Sequence, residues 1–123
     1  MLAFALLGGA DLARAFALQI AVENGSRAGA EAFAIDSTPT NTEAQTAVVN
    51  EINRTPTANV QPSNVTVVKK QTDGVTACVS PPTVATPCFV SVRVVYTWST
   101  IIAWPFVPNS GTFDRTTTMR TFY

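Results

Sequence analysis

Met1 to Ile35 contains no proline and is built largely from Ala, Leu and Phe, residues that favour a single uninterrupted helix. At 1.5 Å per residue such a rod is about 50 Å long, more than one small globular domain can wrap. Its first part, Met1 to Val22, is apolar except for Asp11, Arg14 and Gln19. That is enough chain to cross a bilayer, since about 20 apolar residues span the hydrocarbon layer. A helix that is apolar on most sides must be surrounded on most sides. One small sheet covers only one face, so the remaining faces call for lipid or for copies of the same helix.

Small residues recur along this helix at a spacing of four: Ala5, Gly9, Ala13, Ala17, Ala21, Gly25 and Gly29. On a helix they form a ridge without bulky side chains, along which a second backbone can approach closely. An Ala-rich signal anchor would produce such a series by composition alone, so both readings stand. Asp11 and Arg14 lie within the apolar part, where charge is costly in hydrocarbon. Three residues apart, they either pair on one helical face or reach partners on adjacent helices.

Asp36-Ser37-Thr38-Pro39 ends the helix, because Pro39 disfavours helical geometry in the residue before it. Thr40 and Glu43 have capping-box spacing and predict a second helix over Asn41–Asn53, with Ala44, Ala47, Val48 and Ile52 as its apolar face. Beyond Pro56 the hydrophobic period changes. Strands are expected over Asn64–Lys70, Val75–Ser80, Cys88–Trp98 and Thr112–Tyr123, with Asp73-Gly74 in the first turn. The Pro-rich stretch Pro81–Pro87 reads as a loop. The apolar segment Ile101–Pro108 reads as a cover over a sheet edge or as an exposed contact patch. The expected class is α+β: a long N-terminal helix, a short helix and a small antiparallel sheet of about three or four strands. The change in composition divides the chain into an assembly or anchor helix, residues 1–36, and a head, residues 37–123.

Eight Lys+Arg balance eight Asp+Glu, so no net field draws the chain to nucleic acid. It has no histidine, which removes the usual general base near neutral pH and the commonest metal ligand. No nucleophile elbow, phosphate loop or metal cluster is visible in the sequence, and neither an enzymatic activity, a small-molecule substrate nor a cofactor is expected. Cys78 and Cys88 are too few to build a metal site without histidine. They read as a structural disulfide, which would place the chain in an oxidising compartment; two reduced, buried thiols are the other reading. Asn24, Asn53 and Asn64 open glycosylation sequons, which chance also produces in a chain rich in Asn and Thr.

The run Gly9-Ala10-Asp11-Leu12-Ala13-Arg14-Ala15-Phe16 resembles the acidic-x-Gly-Arg-Ala segment of TadE/TadG-like pseudopilins of tight-adherence pili. Ser26-Arg27-Ala28-Gly29-Ala30 is similar to the Ala-Arg-x-Gly-Ala motif that follows in the same helix of that family. The Cys-to-Cys loop leading into a Val-rich strand, here Cys78 to Tyr96, is also common there. The resemblance implies an exported protein with an N-terminal helix and a small α+β head, acting at the cell envelope. On the residues alone, nothing positive precedes Met1-Leu2-Ala3-Phe4 and the helix pattern runs on to Ile35, unlike a cleaved signal peptide; a basic leader already removed explains both, and Met1 would then not be the initiator. Ala5 stands where pilins cleaved by prepilin peptidase usually carry Glu, and Glu31 replaces a second Arg of the later motif. Asp11 is then the candidate acidic partner for a neighbour's N-terminal amine.

The leading expectation is a structural subunit of an extracellular pilus-like filament. It would sit in the membrane before assembly and then join copies of itself or other pilins through its helix. A minor, membrane-retained pseudopilin or assembly factor is the alternative within the class. An adhesive or ligand-binding envelope domain is the alternative outside it, with Trp98, Trp104, Phe106 and Tyr123 as a recognition patch; the same aromatics also suit a core or a subunit interface.

Overall fold

The computed structural model describes residues 1–79, 81–100, 102–106 and 108–122. The architecture is α+β: helix α1 (Leu2–Ile35), helix α2 (Asn41–Ile52), a 3-10 turn (Pro62–Asn64), and strands β1 (Val65–Gln71), β2 (Cys88–Ser99) and β3 (Ser110–Arg120). The strands form one antiparallel sheet in the order β1-β2-β3. Helix α1 runs without interruption for 34 residues. It stops where Asp36 turns to extended backbone and its carboxylate accepts the Thr38 N–H at 2.9 Å. The capping box at α2 is formed: the Thr40 hydroxyl accepts the Glu43 N–H, and the Glu43 carboxylate accepts the Thr40 N–H. Two otherwise unpaired donors at the helix start are satisfied in this way.

Period-two alternation in β2 places Cys88, Val90, Val92 and Val94 on the inner face of the sheet. Their register partners Met119, Thr117 and Arg115 share that face, as does Phe113 opposite Tyr96. The outer face is polar and solvated. There Arg93 grips Asp114 through two hydrogen bonds, at 2.9 and 2.5 Å, and Ser91 bonds Thr118. The guanidinium beside Asp114 holds that carboxyl below its ordinary range.

Both helices pack on the inner face. Leu18, Val22, Val48, Ile52, Val60, Val90, Val92 and Val94 are fully buried, each burial contributing about 1.5–3 kcal/mol. The core therefore crosses the compositional boundary at Asp36, with Ala21, Val22, Ala30, Phe33 and Ala34 of α1 packed into the same cluster as α2 and the sheet.

The strand expected over Val75–Ser80 does not form. Among the described residues only Ala77 makes a single bridge, to Lys70, and Ser80 lies outside them. The cause is Asp73, whose carboxylate accepts the N–H groups of Val75 and Thr76 and the Thr76 hydroxyl. These bonds wind the chain into a turn and hold the Asp73 carboxyl down at about 2. Gly74 takes the positive φ of 73° this turn needs. Strand β1 instead pairs directly with β2, Gln71 facing Cys88. Cys78 and Cys88 are joined as a disulfide, their Cα atoms 5.7 Å apart, which clamps the intervening Pro-rich loop to the start of β2. Strand β3 begins at Ser110 and ends at Arg120, earlier at both ends than its sequence pattern; Tyr123 lies outside the described residues.

Candidate assembly surface

The spacing-of-four ridge on α1 divides in two. Ala21, Gly25 and Gly29 are buried and serve the chain's own fold. A Cβ on Gly25 would come within 2.5 Å of the Ile52 side chain. One on Gly29 would meet Val48 at 2.4 Å, the Ala44 carbonyl oxygen at 3.1 Å and Val92 at 3.2 Å. These glycines exist to let α2 close on α1, which corrects the expectation that the whole ridge faces other molecules. Ala5, Gly9, Ala13 and Ala17 remain exposed, and a Cβ at Gly9 would meet nothing within 4 Å.

Around these four small residues the helix exposes Leu2, Leu6, Leu12, Phe16 and Ile20. The apolar outward surface thus extends over about 28 Å of helix. Beyond Val22 the same outward direction is taken by Glu23, Asn24, Arg27 and Glu31, all exposed. Arg27 sits one turn from each glutamate and belongs to this polar part of the helix. One helix therefore presents two chemistries along one face, with the change between Ile20 and Glu23.

Asp11 is 5% exposed and turned inward. Its carboxylate accepts a hydrogen bond from the Trp104 indole N–H at 2.9 Å and one from Arg14 at 3.4 Å. Arg14 also donates to the Ser99 carbonyl and to the Thr57 hydroxyl. The charged pair is thus a local one, tied to the same chain's head; for Asp11 to reach a neighbour's N-terminal amine it would first have to leave Trp104. Trp104 packs against α1 near Gly8 and meets Phe4 edge-on, ring centroids 6.1 Å apart. Through Trp104 the segment between β2 and β3 lies against α1, where the sequence offered a cover over a sheet edge or an exposed contact patch. Asn109 keeps it closed: its side-chain oxygen accepts the Trp104 N–H at 2.6 Å, its amide donates back to the Trp104 carbonyl, and its own carbonyl accepts the Thr100 N–H.

Of the aromatics expected as one patch, Trp98 and Trp104 share a groove and Phe106 stands apart. Trp98 stacks on Phe113 at 6.2 Å and, with Trp104, lines an open apolar groove of about 340 Å³ beside Gly8, Asp11, Leu12 and Ala15. Phe106 points to solvent, fully exposed, at a φ of 68°. Asn109 and Thr57 were invisible to sequence reasoning, since their roles depend on partners far along the chain. Asn53, noted only as a sequon, has a structural role: its side chain accepts from the Val60 N–H at 2.8 Å and donates to the Val60 carbonyl at 3.1 Å.

Set against known proteins, the chain matches no family model, no curated protein and no solved structure. What it presents on its own account, among the described residues, is one helix long and apolar enough to cross a membrane, near the N-terminus, and a disulfide of the kind that persists in oxidising compartments.

Proposed function

We propose that this protein is the structural subunit of an extracellular pilus-like filament, held by the outward apolar face of α1. The observation that carries the reading is that face itself: apolar from Leu2 to Ile20 and polar from Glu23 to Glu31. Among the described residues, nothing in the head folds over its outward side. A surface of that size is unfavourable in water, well beyond the scattered single hydrophobes that soluble monomers tolerate. Ala5, Gly9, Ala13 and Ala17 allow a second helix to approach closely there, while the flanking Leu, Phe and Ile side chains interdigitate. The solvated outer face of the sheet, with its Arg93–Asp114 pair and Thr and Ser side chains, then forms the outside of the assembly. Catalysis has no part in this proposal.

Membrane retention as a minor subunit is the second reading, favoured by the match between the apolar length of α1 and a bilayer. Electron microscopy of the purified chain tests the first. Thin filaments are expected, and Ala13→Leu together with Gly9→Leu should abolish them while circular dichroism stays native. Filaments that persist in the double variant would overturn the reading; native protein found only in membranes, at low abundance, would favour the second.

A further inference from the structure

Trp104 bonds Asp11 of α1 and lines one groove with Gly8, inside the stretch Leu2–Val22 that would lie in hydrocarbon if the helix spanned a bilayer. The described residues of the segment carrying it are not helical. Its backbone bonds run to Asn109 and Thr100, and Pro105 and Phe106 are exposed. Non-helical backbone facing lipid is not tolerated, because its polar groups find no water there. The docked segment and a surrounding bilayer therefore exclude each other. We propose that this segment is a strap: Trp104 docks on Asp11 when α1 is outside the membrane and lifts away when α1 enters it. The inference rests on the reading that α1 passes through a membrane before assembly.

Three features suit the part. Among the described residues, the strap is fastened to α1 by the Trp104 indole, through its hydrogen bond to Asp11 and an edge contact with Phe4, none of which belongs to the core beneath α2, so it can open without disturbing that core. Its own closure through Asn109 is internal to the segment and survives lifting. Asp11 gives the switch a direction. Outside the membrane its carboxylate holds both Trp104 and Arg14; with the strap lifted it loses the indole while lying in hydrocarbon, where a carboxylate is costly. Docking thus biases α1 towards leaving the membrane.

The test uses the full chain carrying Trp98→Phe, so that Trp104 alone fluoresces, and a nitroxide on Leu12→Cys, beside the groove. In buffer the nitroxide should quench Trp104. On phosphatidylcholine–phosphatidylglycerol vesicles, flotation reports whether the chain associates, and most of the quenching should be lost. A chain that floats with Trp104 still quenched overturns the strap and leaves the anchor reading intact. A chain that does not float overturns both. Repeating the measurement from Gly9→Cys, where an added Cβ meets nothing, shows that the label itself has not opened the strap.

Discussion

Replacing Gly29 by alanine should destabilise the protein, whereas the same change at Gly9 should stabilise it. The two glycines lie on one helix and belong to one spacing-of-four series, so intrinsic helix propensity favours alanine at both by about 1 kcal/mol. They differ in what the new methyl meets. At Gly29 it would sit 2.4 Å from Val48, 3.1 Å from the Ala44 carbonyl and 3.2 Å from Val92. Val48 and Val92 are fully buried and the carbonyl is backbone of α2, so no neighbour can swing aside. Overpacking of this kind costs about 1–3 kcal/mol, which leaves a net loss of about 1 kcal/mol. At Gly9 the space is open, and a gain of about 0.5–1 kcal/mol remains. For a chain of this size 1 kcal/mol moves Tm by roughly 3–5 °C, so the variants should melt on opposite sides of the parent, separated by about 5–10 °C. Thermal unfolding of the disulfide-intact chain, followed by circular dichroism in one mild detergent, measures this. A Gly29→Ala variant melting at or above the parent would refute the claim that the buried half of the ridge exists to seat α2.

Replacing both Cys78 and Cys88 by serine should cost about 2–3 kcal/mol through the freed loop, read as a lower denaturation midpoint, with α1 helicity unchanged. Ile52→Ala, which empties a fully buried site under α1, should cost about 2–5 kcal/mol by the same measurement. The Asp73 turn should respond to acid in a defined sense. Its folded carboxyl titrates at about 2, below the ordinary value near 3.9, so its contribution is present above about pH 4 and lost as pH falls through about 2. The Val75 and Thr76 amide resonances should shift with that midpoint, and midpoints near 4 would contradict the geometry.

Features decided locally were legible in the sequence: the proline-free run of α1, the Thr40–Glu43 box that starts α2, the β-branched run of β2, and the Cys78–Cys88 pairing. Each depends on neighbours in the chain or on elimination among few candidates. Val75–Ser80 misled because β propensity was read without the side chain of Asp73, which gathers the following amides into a turn. The ridge on α1 misled for a different reason. Ala13 and Gly25 look equivalent in a periodic pattern, and only the arrival of α2 separates them. The bond between Trp104 and Asp11 joins positions 93 apart, and nothing near either residue announces the other.

The switch of the α1 face between Ile20 and Glu23 acts as a depth gauge. A partner helix or a bilayer can slide along the greasy shaft only until Glu23, Arg27 and Glu31 would have to shed their water. Any packing of this rod against a neighbour is therefore confined to a narrow range of axial offsets. In the proposed filament, the spacing between successive heads would then be set by where charge begins on the shaft, ahead of any contact the heads make with each other.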